Sequence, residues 1–223
     1  MHQRKSKKIL LYFFLLFAVG SINNLTFKDY KFKEIQDIKI LGLNNSNKEK
    51  IHKKIYNLKS ENIFFLNRAE IVEVINSDPL VESFNVFKKY PSTLHINIKE
   101  TNLVAKINKD GKIFYIGTNG KLSEKNFFAA KIPFIFGKPN VQEFLNFKKK
   151  IDQSEFSYKQ IENLYFFPSK RWDIELRNKI ILKLPRENVR NVLDDVFRLL
   201  KNDNFNNIKT IDARVKNQII LND

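Results

Sequence analysis

An apolar segment near the start of the chain constrains the fold more than any other feature. The tail of residues 1–8 holds four Lys or Arg residues and no acid, and residues 9–19 are all apolar. Eleven residues in a helix span about 16 Å, far less than the roughly 30 Å of a bilayer's hydrocarbon core. A helix extended to Phe27 would reach about 28 Å, which is just enough to span it.

Two interpretations of this segment stay open at this point. A basic start and a short apolar stretch are also typical of a secretory signal peptide, and Ala18, Val19 and Gly20 suit a cleavage site. An uncleaved helix over residues 9–27 would instead anchor the chain in a membrane. The side chains expected to contact lipid are then Ile9, Leu10, Leu11, Phe13, Phe14, Leu15, Leu16 and Phe17.

The charges on either side of the segment encode its orientation weakly. Four Lys or Arg residues precede it, and four follow within about twenty residues, so the positive-inside count is tied. The leading charges are packed into residues 1–8, which favours a cytoplasmic N-terminus and export of residues 28–223.

Composition excludes some classes of site. Cysteine is absent, so the chain has no disulfide framework, thiolate nucleophile or cysteine-based metal site. The formal net charge is +16, and subtracting the four positive charges of the tail leaves +12 for residues 28–223. Such a charge favours anionic lipids or a polyanion. Codon bias is a second explanation, because Lys, Asn, Ile and Phe are all abundant.

Residues 37–100 contain five predicted elements in the order β-α-α-β-β. A strand over residues 37–40 ends at a glycine turn, and a capping box that starts at Ser46 predicts a helix with Ile51, Ile55 and Leu58 inward. Asn67 is the expected N-cap of a second helix. The inward residues of that helix are Ile71, Val74 and Ile75, and the two strands that follow cover residues 80–89 and 94–98.

This order, and the residues at its turns, resemble a POTRA domain. The family pattern has a strand with a glycine turn, an Asn-Ile-Phe motif, a Pro-x-Val motif and a final strand of the form Tyr-Pro-x-x-Leu-x-Ile-x-Ile-x-Glu. The matching motifs here are Leu41-Gly42, Asn62-Ile63-Phe64, Pro79-Leu80-Val81, residues 90–100 and Val104-Ala105.

The second half of the chain predicts a β-rich domain with helices packed on an antiparallel sheet. Asn119-Gly120 is a hairpin signal. Residues 141–151 predict a helix, and Pro185 is expected to begin another, whose apolar stripe starts at Val189. The predicted strands include residues 113–116, 132–137, 164–167, 172–176, 179–184, 208–213 and 218–221.

The chain as a whole resembles the FtsQ/DivIB family of bacterial cell-division proteins. Its most specific motifs are residues 169–185, which include Arg171, Trp172 and Pro185, and Ile211-Asp-Ala-Arg214. Lys170 and Lys179 depart from the family pattern, where Arg and Gly are usual, and we expect the loss of Gly to loosen a turn. The resemblance implies an α+β protein with a tail (1–8), a transmembrane helix (9–27), a connector and POTRA domain (28–102) and an FtsQ-type β domain (103–223).

The resemblance also implies a function without chemistry. Proteins of this family are single-pass scaffolds of the inner membrane, required for septum assembly, that bind FtsB, FtsL and other divisome components in the periplasm. Binding is by β-augmentation, in which a partner strand adds to a sheet edge. That edge corresponds to Arg214, Val215, Gln218, Ile219, Ile220 and Leu221. A terminal strand with three apolar residues also suits an exposed edge, and the alternative is an interior strand.

Individual residues offer little for catalysis. Asp194 and Asp195 are adjacent on a predicted helix and therefore point in different directions, which makes a poor acid–base pair. The sequence contains no phosphate-binding loop, nucleophile elbow or metal motif, so we expect no enzyme, cofactor or small-molecule substrate. Trp172 is expected to be a buried anchor of the second core, whereas Arg171 either reaches a partner or fixes a loop.

Two other functions fit parts of the sequence. A POTRA domain also occurs in outer-membrane assembly and secretion proteins, but these carry a β-barrel or repeated POTRA units. The charge of residues 28–223 would suit an exported nucleic-acid binder. The basic residues are spread along the chain rather than clustered, which argues against a nucleic-acid partner.

Overall fold

The computed structural model of the chain describes residues 4–22, 34–59, 61–124, 131–201 and 208–222. A first helix, α1 (Arg4–Ile22), contains the apolar segment. Among the residues described, we find no helix whose length and apolar character together suffice to cross a membrane. Residues 23–27 of the predicted span lie outside the described residues.

The chain forms two compact units. The first includes residues up to 77 together with residues 84–98, and the second contains residues 78–83 and 99–223. The elements of the first unit keep the predicted order β-α-α-β-β. They are β1 (Asp37–Leu41), α2 (Asn45–Ile55), a 3-10 turn (Tyr56–Leu58), α3 (Arg68–Asn76), β2 (Val81–Lys89) and β3 (Thr93–Glu100).

The small sheet of the first unit has the strand order β1-β3-β2, with β1 parallel to β3. Ile38 lies opposite Leu94 and Ile40 opposite Ile96, so alternate residues of both strands point into one core. The helices complete it: the predicted inward residues Ile51, Ile55, Leu58, Ile71 and Ile75 are all buried, and Val74 is half-buried.

The caps of the two helices differ in how well the sequence predicted them. Asn67 caps α3 as predicted, because its side chain accepts a hydrogen bond from the Ala69 N–H at 3.0 Å. The cap predicted at Ser46 is wrong. Asn44 takes that role by accepting a hydrogen bond from the Asn47 N–H at 3.0 Å, so α2 begins at Asn45.

The second unit is built on a nine-stranded sheet. Its elements are β4 (Leu103–Lys109), β5 (Lys112–Gly117), β6 (Leu122–Ser123), β7 (Phe134–Phe136), α4 (Val141–Asp152), β8 (Ile161–Phe166), β9 (Trp172–Leu176), β10 (Ile181–Lys183), α5 (Val189–Leu200), β11 (Thr210–Asp212) and β12 (Ile220–Asn222). The strand order is β12-β11-β10-β9-β8-β7-β4-β5-β6.

The prediction of an antiparallel sheet is wrong, because the sheet is mixed. The pairs β4–β7, β7–β8 and β10–β11 are parallel, and the remaining pairs are antiparallel. Parallel neighbours require a crossover connection, and α4 and α5 lie in two of these connections, between β7 and β8 and between β10 and β11. Helical crossovers in the second half of the chain therefore produce the mixed sheet.

One face of this sheet carries the core of the second unit. A single row of opposed residues crosses six strands and comprises Ile135, Leu164, Ile174, Leu182, Ile211 and Leu221. The first five are at most 1% exposed and pack in one cluster with Phe144 and Phe147 of α4 and Leu193 and Val196 of α5. The opposite face of these strands carries mixed polar and aromatic residues.

The start of α5 differs from the prediction. Pro185 does not begin the helix. Asn188 takes a left-handed conformation (φ 55°), and the helix begins at Val189. The predicted apolar stripe does face the core, since Val189, Leu193 and Val196 are buried. Pro185 instead lies in the segment that connects β10 to α5.

Candidate partner-binding edge

The last strand, β12, lies at one end of the large sheet. It pairs antiparallel with β11, so that Asp212 lies opposite Ile220 and Ile211 opposite Leu221. Within the described ranges, no strand pairs with the outer side of β12. The edge position predicted for this strand agrees with the strand order. Partner binding there stays a prediction.

The predicted edge residues divide into a short strand and a turn. β12 begins at Ile220, two residues later than predicted, and Val215 and Gln218 belong to the turn before it. This turn is closed by the Gln218 N–H, which donates to the Val215 carbonyl at 3.2 Å, with Asn217 in a left-handed conformation. Both Ile219 and Leu221 pack against the core. Ile220 points to the opposite side and is 39% exposed.

A row of charged side chains leads across the open face of the sheet to Ile220. Asp173 on β9 lies opposite Lys183 on β10, which lies opposite Asp212 on β11. Residues opposed in this way share one face, so the charges alternate in sign towards the edge. Burial raises the pKa of Asp173, although Arg171 and Arg214 act in the opposite direction.

Arg214 is fixed at the start of the turn by Asp212. Its backbone N–H and its Nε donate to the Asp212 Oδ1 at 3.1 and 2.8 Å. The hydrogen bonds from Arg214 hold the pKa of Asp212 below its ordinary value. A carboxylate that stays ionised and bonded to the backbone orients the chain as it leaves β11, and thereby positions the edge strand.

A groove adjoins the turn between β11 and β12. Its volume is about 650 Å³, and one wall is formed by the turn, including Val215, Lys216 and Ile219. Val192 and Asp195 of α5, together with Pro185, form the other wall. The sequence patterns did not predict that α5 lies at this edge. No local pattern could have done so, because these walls come from segments some twenty residues apart that meet only in the folded unit.

The family-motif residues occupy three different environments. Pro185 lines the groove, whereas Trp172 is only 6% exposed and stacks on Phe147 with ring centroids 4.6 Å apart. Trp172 is therefore a buried anchor, as predicted. Arg171 binds within its own turn: its Nε lies 3.2 Å from Asp173 and its guanidinium lies over the Phe167 ring.

The turn at Lys179 forms without the usual glycine. Lys179 adopts a left-handed conformation (φ 72°), and its N–H donates to the Leu176 carbonyl at 2.8 Å. The Leu176 N–H in turn donates to the Ile180 carbonyl at 2.9 Å. The turn therefore closes without glycine, and the left-handed backbone of Lys179 carries a conformational cost.

The predicted anchor residues all lie on α1. Their side chains are between 50% and 75% exposed. Across the described ranges, no group of three or more His, Cys, Asp or Glu side chains is placed to hold a metal ion.

Two family models match the chain. The model described as "POTRA domain, FtsQ-type" matches residues 33–101. The model described as "Cell division protein FtsQ/DivIB, C-terminal" matches residues 97–214, which is more than half of the chain.

Individual relatives carry the same descriptions. The "Cell division protein DivIB" of Clostridium botulinum (strain Hall) is 31% identical over 123 residues, which are 55% of this chain and 47% of the relative. The "Cell division protein FtsQ" of Rickettsia bellii is 25% identical over 198 residues, covering 84% of this chain and 72% of the relative. The chain thus spans about half the length of the Clostridium relative.

A solved structure of the major extracytoplasmic domain of DivIB from Geobacillus stearothermophilus is 12% identical, with a TM-score of 0.34. The match covers 44% of this chain and 87% of that one. A similarity at this TM-score carries no structural conclusion.

Proposed function

The chain belongs to the FtsQ/DivIB family of cell-division proteins, and we propose that it is a divisome scaffold that captures partners by strand addition at β12. The observation that carries the proposal is the position of β12 at the end of the sheet, beside a groove. A terminal strand offers unpaired N–H and C=O groups to another chain.

The energetics require the groove as well as the strand. Alternate residues of an edge strand point outwards, so β12 offers two backbone hydrogen bonds, from the N–H and C=O of Leu221, which contribute roughly 1–3 kcal/mol at about 0.5–1.5 kcal/mol each. A micromolar complex needs about 8 kcal/mol. Apolar side chains of the partner must supply the difference, and the groove between α5 and the turn, with Val215 and Val192 in its walls, is suited to receive them.

The partners we propose are small coiled-coil division proteins of the FtsB and FtsL kind, as the family resemblance implies. The groove has cations and anions in its walls, since Arg214 and Lys216 lie across from Glu187 and Asp195. This mixed lining favours a partner segment with both charges over a polyanion.

We also propose that residues 9–27 anchor the chain in the inner membrane, with the short tail in the cytoplasm and residues 28–223 in the periplasm. The support is the exposure of the apolar side chains of α1, at least half of each side-chain surface from Ile9 to Phe17. A run of exposed apolar side chains in one helix requires an apolar environment. The POTRA-type domain at 28–102 and the β domain at 103–223 are proposed on the same resemblance.

Depletion of the protein tests the role in division. We expect depleted cells to grow as filaments without septa, and a fluorescent fusion of the full chain to gather at midcell. Purified full-length protein should also bind the FtsB-like and FtsL-like proteins of the same cell. Normal division on depletion together with a diffuse fusion would refute the scaffold role.

Protease digestion tests the proposed topology. Protease added outside spheroplasts should digest residues 28–223, and full protection would refute the proposed topology.

A further inference from the structure

Five aromatic side chains between residues 56 and 90 are exposed to solvent. Phe65 is 85% exposed, and the other four are 53–56% exposed. The five residues are Tyr56, Phe64, Phe65, Phe87 and Tyr90, and we call them the aromatic end. A surface with this much exposed aromatic area marks a site of interaction.

The direction of each element places these residues together. The helix α2 and the 3-10 turn run towards the 59–66 loop, and β2 runs towards the turn at Tyr90, before α3 and β3 run back. Contacts join the two turns: the Phe64 and Tyr90 rings stack with centroids 5.1 Å apart, and the Lys88 Nζ donates to the Phe64 carbonyl at 3.4 Å. The stacked rings of Phe64 and Tyr90 therefore join the two turns into one patch, and Tyr56, Phe65 and Phe87 lie within eight residues of these rings along the chain.

The chain enters the first unit at this same surface. The Ile35 N–H donates to the Glu61 carbonyl at 3.0 Å, and the Gln36 N–H donates to the Ser92 carbonyl at 2.9 Å. Glu34 forms an isolated bridge with Asn62. Glu34 lies seven residues along the chain from Phe27, the end of the proposed anchor, and these seven steps can span at most about 25 Å. The aromatic end therefore lies within a short tether of the membrane.

The charges around the aromatic end suit a lipid surface. Lys88 and Lys89 are exposed beside Tyr90, and the Lys59 Nζ lies 5.4 Å from the centre of the Tyr56 ring. Glu34 and Glu61 are exposed acids near them. Aromatic rings with lysines at their margin are the composition found at the level of the lipid head groups, and lysines near a bilayer attract anionic lipids.

We propose that the aromatic end rests in the head-group layer of the membrane, with anionic lipid phosphates beside Lys88 and Lys89. The inference rests on the proposed anchor, and it adds a second point of membrane contact to it. A protein partner for this surface is the alternative that the experiment must separate.

Single cysteines in the full chain test the proposal, because the natural sequence has none to interfere. Phe65→Cys and, separately, Tyr90→Cys are labelled with nitrobenzoxadiazole and reconstituted in vesicles of phosphatidylcholine and phosphatidylglycerol. Leu41→Cys is the matched control: Leu41 is also an exposed apolar residue, but it lies at the other end of β1, about 13 Å from Asp37. Leu15→Cys reports on the anchor itself.

We expect lipids with a nitroxide near the head group to quench the labels at positions 65 and 90 roughly threefold more strongly than the label at 41. Quenching at position 15 by lipids with a nitroxide in the acyl chain, with no head-group quenching above the Leu41 level at 65 and 90, would overturn the inference and leave the anchor intact. No quenching at position 15 would refute the anchor and the inference with it. Protection of position 65 only after FtsB-like protein is added would assign the surface to a protein partner and would likewise overturn the inference.

Discussion

The edge at β12 and the aromatic end of the first unit both expose apolar side chains, yet they present different chemistry. At β12, Ile220 stands beside backbone N–H and C=O groups and a groove of about 650 Å³. At the aromatic end, the exposed area consists of side-chain rings with lysines beside them. Backbone hydrogen bonds are directional and therefore fix the register of a partner strand. Rings and flexible cations have no such requirement.

This difference teaches that exposed apolar area alone does not identify a partner. A directional edge with a groove selects one protein segment, because its hydrogen bonds and side chains must fit together. A ring of aromatic residues with lysines fits a fluid surface whose head groups rearrange around it. Substitutions at β12 should therefore change partner binding and leave lipid contact unchanged, and substitutions at the aromatic end should do the reverse.

The largest expected effect is that of Leu221→Pro. The backbone of Ile220 and Asn222 pairs with β11, so the Leu221 N–H points outwards, and its loss should reduce the affinity for the FtsB-like partner by about 100-fold or more. Leu221→Ala is the matched control, since it shortens the same side chain and keeps the N–H; it should stay within about fivefold. Calorimetric titration measures both, and circular dichroism verifies folding. Equal losses in the two variants would contradict strand addition.

Charge reversal at the aromatic end should give the next largest effect. Each Lys near an anionic surface contributes about 1 kcal/mol, so Lys88→Glu with Lys89→Glu should reduce occupancy of the lipid surface by roughly thirtyfold. The label at Tyr90→Cys, in vesicles with and without phosphatidylglycerol, reports this change. Partner affinity at β12 should stay within about twofold. A comparable loss of partner binding would show that the two surfaces are not independent.

Acid should reduce the stability of the folded protein through Asp212, which lies opposite Ile220 of β12. The pKa of Asp212 is lowered in the folded state, so its contribution is complete above the ordinary value of 3.8 and is lost as the pH falls below it. Asp212→Asn should therefore reduce the melting temperature at pH 6, by an amount equivalent to at most about 1 kcal/mol for a partly exposed ion pair, and by progressively less towards pH 2.

Asp173 is a control for this titration, because its pKa is shifted in the opposite direction. Burial raises its pKa in the folded state, so its ionisation costs stability as the pH rises from 3.8 through the raised value. The melting temperature of Asp173→Asn relative to the natural protein should thus improve with rising pH. The same trend in both variants would contradict the assignment.

The smallest effect is expected at Lys179, which should alter neither surface. Its left-handed conformation costs an L-residue about 1–2 kcal/mol, and glycine removes that cost while adding up to about 1 kcal/mol of unfolded-state entropy. Lys179→Gly should therefore raise the free energy of unfolding by about 0.5–1 kcal/mol. Urea unfolding measures it. A decrease would indicate that the exposed Lys179–Glu175 ion pair contributes more than such pairs usually do.

Much of the local structure was predictable from the residues. The alternation in β3, the Asn67 cap and the apolar stripe of α5 all formed as expected, because each depends on neighbours within a few positions. The cap predicted at Ser46 was wrong for an equally local reason: Asn44 offers a competing side-chain acceptor two residues earlier. Helix starts depend on which of several nearby caps wins, and periodicity does not decide that.

The sequence by itself determined which segments are strands and helices, which side chains face a core, and the family that the motifs indicate. Only the tertiary structure decided that β10 and β11 are parallel, that Pro185 and Val192 meet the turn before β12, and that Phe64 stacks on Tyr90. The physical reason is the separation along the sequence of the residues that interact. Periodicity reports a residue's relation to neighbours a few positions away, whereas strand order, grooves and surface clusters arise from contacts between segments that meet only when the chain folds.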